Sequence, residues 1–444
     1  MRTAFRLLKK IWGVEREYAR VMSLRQARMR EAGALGLAAL SPAQLMAWFN
    51  KLAPSSDAMD LTVGLSNSAH GPWEASLEAL LRPEFGSRAR SLIGKLLAGT
   101  GAVTSAEHGY AIFDLAAAAR ADAEALRWLD SRQPATDWVN LPPGSTFRAR
   151  LSDFLDRFGH RAVYEADYLN PRWVEDPSYV LDQVRYALAN PQAADPREAA
   201  RRVREAAEST VRSASAWRRP VIFWLARKLR GAMAVRESAK SAMAALALVS
   251  KRMALEVGRR LVAAGHLDQP GDVLHLSAAD LVCWLEGWWD GAGARRLAAD
   301  RARQREAWLA EETPPDEITE EPDGRVSTRE HLPTRHGDNW SGIGAAPGRA
   351  RGSAHIIRHP NEASRFQPGE VLVAPSTDPG WTPLFLRASA IVMASGGYLS
   401  HGAIVAREYG IPAVVNVPGI LTDVQSGDTL LVDGDSGTVV REPR

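Results

Sequence analysis

A histidine follows two glycines and a serine late in the chain, within the stretch GGYLSHGAIVAREYGIPA that begins at Gly396. Gly396 and Gly397 permit backbone angles that other residues resist, so we expect a tight turn there. Ser400 is a favoured N-cap residue, which makes His401 the first residue of a predicted helix. The start of such a helix offers unpaired N–H groups and the positive end of a dipole, and both favour a phosphate group.

The chemistry available to His401 is nucleophilic catalysis. A neutral imidazole is a competent nucleophile near neutral pH. A covalent intermediate on the ring divides one difficult group transfer into two easier ones. A single histidine is more often structural, so the residue type alone does not assign this role. The helix context, which ends at Gly410 and Pro412 in the expected order, favours it.

The same stretch resembles the phosphohistidine signature of the phosphoenolpyruvate-utilising enzymes, a family that includes phosphoenolpyruvate synthase, pyruvate phosphate dikinase and rifampicin phosphotransferase. The likeness covers nearly all of residues 342–440, because Gly342–Gly348, Thr377–Phe385 and Val432–Val439 resemble the family's opening turn, conserved loop and closing hairpin. The resemblance implies a swivelling domain with His401 as its phosphorylated residue. Leu399, where synthases and dikinases often have threonine, is more similar to the rifampicin phosphotransferase branch.

The larger part of the chain is predicted to be helical. From Ser41 to about Ala310, alanine, leucine, arginine and glutamate dominate, and apolar residues recur at three- and four-residue spacing. Predicted helix starts and turns lie at Ser41-Pro42, Ser277, Pro142-Pro143-Gly144-Ser145 and Asn190-Pro191. The resemblance implies that this domain binds the substrate that accepts the phosphoryl group.

Two basic residues of this domain are candidates for binding phosphate. Arg236 and Lys240 are four residues apart, so they share one face of a helix about 6 Å apart. Like charges at this spacing repel unless an anion or a carboxylate lies between them. A solvated helix face is the alternative explanation. The stretch from Arg236 to Lys240 resembles the rifampicin phosphotransferase branch, which implies a clamp that receives the phosphohistidine.

Three further residues are candidates for the base that deprotonates an acceptor hydroxyl. His160, Glu165 and Asp167 lie in a stretch that resembles the same branch. Each has a side chain that can accept a proton. The alternative is a turn held by buried polar groups, and the sequence leaves the two open.

The composition changes after the helical region. Acidic residues and prolines dominate much of the stretch between Glu311 and Asn339, which predicts a linker or, alternatively, an acidic loop folded onto a neighbour. Beyond it, short apolar runs alternate with helical segments near Thr382–Arg387 and Ser400–Tyr409, which predicts a small α/β domain. The predicted strands are 369–374, 390–394, 413–417 and 429–432. We therefore predict a multi-domain protein of α plus α/β class: a helical substrate domain over residues 1–312, a linker over 313–339 and a β/β/α phosphohistidine domain over 340–444.

Composition excludes several classes of protein. The net charge of +3 is too small to indicate a nucleic-acid partner, and no apolar run is long enough for a membrane span. Cys283 is the single cysteine, which excludes an internal disulfide framework and suits a cytoplasmic location, and we predict no metal site. Residues 1–30 carry nine basic and two acidic side chains. We favour a solvated amphipathic helix there over a targeting segment.

The family uses an ATP-grasp domain to charge its histidine, and residues 1–340 contain neither a glycine-rich phosphate-covering hairpin nor a P-loop. The chain alone is therefore predicted to bind no cofactor, and ATP with Mg²⁺ is expected through a separately encoded ATP-grasp subunit. The predicted function is a phosphotransferase that carries a phosphoryl group on His401 to the hydroxyl of a small molecule. The alternatives are a non-catalytic binding or regulatory relative, and ATP-dependent activation of a hydroxyl for elimination or condensation.

Overall fold

The computed structural model describes residues 27, 31–52, 59–98, 104–189, 196–310, 317–321, 324–329, 335–397 and 400–443. Most of the basic segment 1–30, the Asn190-Pro191 turn, parts of the predicted linker and Leu399 lie outside these residues. A large helical region is followed by a smaller domain built on a mixed sheet. The predicted fold class is confirmed.

The described helices are α1 Pro42–Leu52, α2 Met59–Phe85, α3 Ala89–Leu96, α4 Thr104–Arg120, α5 Ala123–Ser131, α6 Thr146–Phe158, α7 Ser178–Ala189, α8 Pro196–Val211, α9 Arg218–Ala263, α10 Ala278–Leu285, α11 Ala294–Ala310, α12 Thr382–Phe385, α13 His401–Tyr409 and α14 Ile420–Asp423. Two predicted helix starts are confirmed by their caps. The Ser41 hydroxyl accepts from the Gln44 N–H at 3.2 Å, and Ser277 and Asp280 form a reciprocal capping box at the start of α10.

Helix α9 organises the helical region. Its 46 residues span about 70 Å at 1.5 Å per residue. Apolar side chains between Ile222 and Met233 belong to one hydrophobic cluster, and those between Val249 and Leu261 belong to another. The middle of the helix, which carries Arg236 and Lys240, lies between these two clusters. A third cluster, built mainly from α4 to α7, completes the core of this region.

The described strands are β1 Glu317–Glu320, β2 Val326–Arg329, β3 Arg335–His336, β4 Asn339–Ser341, β5 Ile343–Ala346, β6 Arg349–Ile356, β7 Val371–Ala374, β8 Ala390–Met393, β9 Ala413–Val415, β10 Thr429–Asp433 and β11 Thr438–Glu442. Strands β1 and β2 form an antiparallel pair within the stretch predicted as a linker. Strands β3 to β11 form one sheet in the order β3-β4-β11-β10-β6-β7-β8-β9-β5. The four predicted strands correspond to β7, β8, β9 and β10, with ends shifted by one or two residues.

The centre of the sheet is parallel, because β6 to β9 pair parallel in sequence while β10, β11, β4, β3 and β5 pair antiparallel with their neighbours. One face packs on a cluster that includes Trp340 and Val414. The other face packs on α12 and α13. This second face shares its hydrophobic cluster with helices α2, α3, α8 and α9, so the two domains are docked through apolar side chains.

Candidate functional site

His401 lies where the chain passes from β8 into α13. Gly396 has a φ of +133°, a backbone conformation that favours glycine, and Ser400 has the extended angles of an N-cap residue. His401 begins α13, and Gly410 ends it in the left-handed conformation with a φ of +69°. The predicted turn, helix start and helix end are confirmed. The Ser400 hydroxyl makes no capping bond and has no hydrogen-bond partner among the described residues, so its predicted capping role does not hold there.

The ring of His401 is buried between polar groups of both domains, with 7% of the residue exposed. Its Nε2 lies 3.1 Å from the Thr382 hydroxyl, and its Nδ1 lies 3.9 Å from a carboxylate oxygen of Glu237, a distance longer than a hydrogen bond. Burial lowers the pKa of His401, the Glu237 carboxylate raises it, and the charges of Arg161 and Lys240 lower it further. The imidazole is therefore neutral at neutral pH, as a nucleophile must be.

Glu237 lies between the two basic residues predicted from the sequence. The Arg236 guanidinium donates to its carboxylate at 2.9 Å, and the Lys240 ammonium lies 4.0 Å from the same oxygen. The Glu237 side chain is 1% exposed, whereas that of Lys240 is 42% exposed. Burial lowers the pKa of Lys240, and Glu237 opposes this shift. The structure thus brings Arg236 and Lys240 to the histidine, with a carboxylate between the like charges.

The three candidate bases lie in the loop between α6 and α7 and have different partners. His160 Nε2 is 3.0 Å from the Ser241 hydroxyl on α9, and burial lowers the pKa of His160 to about 3. Glu165 accepts two bonds from Arg161, at 2.9 and 3.1 Å, and Asp167 is paired with Arg305. The loop therefore holds a partly buried neutral imidazole and two carboxylates paired with arginines. Which of the three acts as a base remains a prediction.

This loop forms much of the contact between the two domains. A Cβ added to Gly380, in the loop before α12, would lie 2.8 Å from the Val163 Cα, so the two backbones pass too closely for a side chain. The Tyr179 hydroxyl donates to the Gly380 carbonyl, and the Tyr164 N–H donates to the Asp378 carboxylate. The resulting contact places Thr382 and His401 against α9.

Asp378 is a buried carboxyl group at this contact. Burial, followed by the charge of Glu165 across the domain boundary, raises the pKa of Asp378 from 3.8 to about 7, although backbone N–H donors oppose the shift. Because the folded protein holds this proton more tightly than the unfolded chain, protonated Asp378 contributes stability that is fully present below pH 3.8 and is lost as the pH rises through about 7.

We expect Asp378→Asn to flatten the pH dependence of stability. Between pH 5.5 and pH 8 the free energy of unfolding of the wild-type protein should fall by roughly 2 kcal/mol more than that of the variant. The fall occurs below the raised pKa of about 7, where each pH unit costs about 1.4 kcal/mol. Urea unfolding of both proteins at the two pH values measures the difference. Equal losses of unfolding free energy in the two proteins would show that the pKa of Asp378 is not raised.

Sequence reasoning missed three members of this site. Glu237 lies in the stretch from Arg236 to Lys240 that resembles the family. Its position between two basic residues could have indicated a carboxylate that separates their charges. Thr382 was identified as the start of a helix and not as a partner of His401. Asp378 lay in a recognised loop, but the sequence contains no signal for its burial against Glu165.

The described residues were also compared with the requirements of a metal site and of a membrane-spanning helix. Among these residues there is no group of three or more histidine, cysteine, aspartate or glutamate side chains arranged to hold a metal ion. No helix within the same residues is long and apolar enough to cross a membrane.

Comparison with known families agrees with this architecture. Residues 64–237 match the family described as rifampicin phosphotransferase fourth domain, and residues 366–437 match the mobile domain of PEP-utilising enzymes. The chain belongs to the phosphoenolpyruvate-utilising enzyme family, and its smaller domain is the family's mobile domain.

Three individual relatives are similar to this chain over different lengths. The chain is 30% identical over 364 residues to the rifampicin phosphotransferase of Streptomyces sviceus, which covers 77% of this chain and 40% of that protein. It is 34% identical over 330 residues to the prodigiosin synthesizing transferase PigC of Serratia marcescens, which covers 71% of this chain and 36% of that one. A 98-residue match to the uncharacterized phosphotransferase YvkC of Bacillus subtilis is 51% identical and covers 22% of this chain and 12% of that protein. The chain thus spans 36% to 40% of the length of the first two.

Proposed function

We infer that this protein is a phosphotransferase component in which His401 carries a phosphoryl group to a hydroxyl of a small molecule bound by the helical domain. The observation that carries the proposal is the placement of His401 at the start of α13, facing Glu237 between Arg236 and Lys240. The names of the relatives, two of which are phosphotransferases, support the reaction class. An ATP-grasp domain on a separate subunit is proposed as the source of the phosphoryl group.

The surroundings of the ring indicate which nitrogen reacts. A carboxylate 3.9 Å from Nδ1 favours the tautomer with the proton on Nδ1, because a lone pair there would face a negative charge. Nε2 then has the lone pair and accepts a hydrogen bond from the Thr382 hydroxyl, which lies 3.1 Å away. We therefore assign Nε2 as the nucleophile and Glu237 as the group that holds the ring in this tautomer.

The reaction proceeds in two displacements. In the first, Nε2 attacks phosphorus in the donor, an N–P bond forms and the P–O bond to the leaving group breaks. If the reaction follows the family, the attack is at the β-phosphorus of ATP and AMP leaves; one water then removes the γ-phosphoryl group as inorganic phosphate, which leaves a single phosphoryl group on Nε2. In the second, the acceptor hydroxyl attacks the same phosphorus, the N–P bond breaks and the hydroxyl proton passes to a base. The electron pair returns to Nε2.

Charging and delivery require different positions of the mobile domain. With 7% of His401 exposed, a nucleotide-bound donor has no access to the ring in the docked arrangement. The arrangement is suited to delivery, because Arg236 and Lys240 lie where they can neutralise the transferring phosphoryl group. The domain must therefore leave the helical region to be charged and return to it for delivery.

A labelling experiment tests the proposal. The protein is incubated with a cognate ATP-grasp protein, Mg²⁺ and ATP labelled on the β-phosphate, and acid-labile label on this chain is measured. We expect label that is stable to base, as for a phosphohistidine. Stoichiometric ligand binding without any label on the chain would instead support a non-catalytic relative.

Removal of either predicted clamp residue should separate charging from delivery. We expect Arg236→Ala and Lys240→Ala to reach wild-type levels of label but to deliver it roughly 10²-fold more slowly, as for loss of one preorganised donor. Single-turnover loss of label with rifampicin, the first acceptor to test, measures delivery.

Arg259→Ala is a matched control for these variants, because Arg259 lies on the same helix, is 55% exposed and pairs with a glutamate. It should leave both steps unchanged. If Arg236→Ala or Lys240→Ala fails to become labelled, the residue acts in charging and the assigned role is wrong.

A further inference from the structure

A cavity of about 560 Å³ lies at the domain boundary, apart from the residues that surround His401. The helical domain contributes Trp173, Tyr179 and Tyr186, and the mobile domain contributes His359 and Arg387. This volume falls in the range of pockets that hold small ligands, about 300–1,000 Å³. Because both domains supply its walls, the cavity is complete only when they are docked.

Arg387 is the distinctive residue of the cavity. It is 8% exposed and lies over the Tyr186 ring, with 3.8 Å between the guanidinium carbon and the ring centroid. It donates to the Phe366 carbonyl, and among the described residues no carboxylate lies within ion-pair distance. Burial lowers the pKa of Arg387, whereas Tyr186 and, more weakly, Glu370 oppose this shift; Glu370 lies 2.9 Å from His355 Nδ1.

The other charged residues of the lining are one ion pair, a carboxylate held by a serine, and the exposed Arg132. Asp182 pairs with Arg185 at 2.8 Å, and Asp176 accepts from the Ser178 N–H and hydroxyl at 2.9 and 2.5 Å. Burial lowers the pKa of His359, which is therefore neutral. Arg387 is thus the buried cation of the lining, and a ligand that reaches its guanidinium displaces no ion pair among the described residues.

Further buried polar atoms belong to the same walls. Trp173 Nε1, Gln183 Oε1 and Arg387 Nε are buried and have no hydrogen-bond partner among the described residues. Buried polar groups are normally paired, and leaving one unpaired costs stability. These three atoms lie beneath the exposed surface of the cavity, so a ligand contacts them only where side chains of the walls shift.

We propose that this cavity binds a small aromatic anion, which places its ring against the aromatic side chains and its negative group against Arg387, and which holds the mobile domain docked. Aromatic walls favour a flat apolar body, and a guanidinium favours a carboxylate or phosphate. A ligand that requires walls from both domains binds the docked state alone and shifts the population towards it. Binding does not depend on phosphorylation of His401, so the site can exist even if the proposed function is wrong.

Calorimetric titration of the full chain tests the site. The probes are benzoate, 2-naphthoate and phenyl phosphate, with the neutral 2-naphthamide as the matched comparison. We expect saturable binding of at least one anion, and binding of 2-naphthamide about tenfold or more weaker than that of 2-naphthoate if the carboxylate is the recognised group. Comparison of the carboxylates with phenyl phosphate identifies the preferred anion. The absence of binding by all three anions overturns the proposal.

Two variants assign the site. Arg387→Gln should weaken binding of the anion about tenfold or more, whereas Arg185→Gln, which removes an arginine already paired with Asp182, should change it less than threefold. If Arg387→Gln does not fold, Ser178→Trp at the exposed edge of the cavity should block binding instead. Equal affinity of the wild type and the folded Arg387→Gln or Ser178→Trp variant overturns the assignment.

Hydrogen exchange of the full chain tests the effect on docking. Saturating anion should slow amide exchange in residues 357–363 and 379–387 of the wild type and of His401→Ala, but not of Arg387→Gln. Unchanged exchange despite saturation would show that the ligand does not hold the domains together. Because His401→Ala must still bind, failure of the phosphotransfer proposal and failure of this one give different results.

Discussion

Replacing His401 with alanine is expected to abolish acid-labile labelling of this chain. The substitution removes the nitrogen that forms the N–P bond, and a methyl group has no lone pair with which to replace it. The expected effect is loss to below detection. The structural cost should be small by comparison, about 1–3 kcal/mol, because one hydrogen bond to Thr382 and the packing of one ring are lost. Labelling with β-phosphate-labelled ATP measures the first effect, and thermal unfolding measures the second.

His160→Ala is the matched control for this variant. Both residues are histidines whose rings lie close to a hydroxyl: His160 Nε2 is 3.0 Å from that of Ser241, and His401 Nε2 is 3.1 Å from that of Thr382. Only His401 begins a helix. We expect full labelling of His160→Ala, whatever its effect on delivery. Label that persists on His401→Ala would place the phosphoryl group elsewhere and remove the basis of the proposed function.

The local parts of this site were predictable from sequence. Gly396, Ser400, His401 and Gly410 have their effects through backbone geometry over a few residues, so turn, helix start and helix end could be read in order. The strands around them are short apolar runs bounded by glycine and proline. Their type was therefore predictable, whereas their ends shifted by one or two residues.

The long-range parts were not predictable in the same way. The contact between Gly380 and Val163 joins residues more than two hundred positions apart, and no local pattern encodes it. The unusual pKa of Asp378 depends on that contact, because the burial and the neighbouring Glu165 both arise from docking. Sequence patterns identified both loops, and only the fold shows that they meet.

The middle of α9 depends both on local helix spacing and on long-range packing. Apolar side chains anchor the helix on either side of it, and this fixes the position of Arg236, Glu237 and Lys240. Desolvation makes each charge there costly unless it is paired. Glu237 satisfies Arg236 directly, lies close to Lys240 and still faces the histidine, so removing its charge should disturb all three.

Glu237→Gln is therefore expected to slow delivery by about 10²–10³-fold while the chain still accepts label. Glutamine keeps the size of the side chain but removes the charge that holds the proton on Nδ1 and balances Arg236 and Lys240. During delivery Nε2 is bonded to phosphorus, and the proton held on Nδ1 allows the ring to leave as a neutral imidazole. Without the carboxylate, Nδ1 loses this proton more readily and the ring becomes a poorer leaving group. Charging occurs with the domain away from α9, so its level should be close to that of the wild type. Single-turnover loss of label, measured with the same acceptor as for Arg236→Ala, provides the rate.

Glu256→Gln is the matched control, because Glu256 is also a buried glutamate on α9 and is paired with Arg259 and Arg260 at 2.8 and 2.9 Å. Both variants leave arginine partners without their carboxylate, so their losses of stability should be similar, on the order of 1–3 kcal/mol. Only Glu237 lies beside His401. If both variants slow delivery equally, the effect arises from instability of the helix and Glu237 has no special role. If Glu237→Gln delivers at the wild-type rate, the carboxylate does not set the tautomer of His401 and the assignment of Nε2 loses its support.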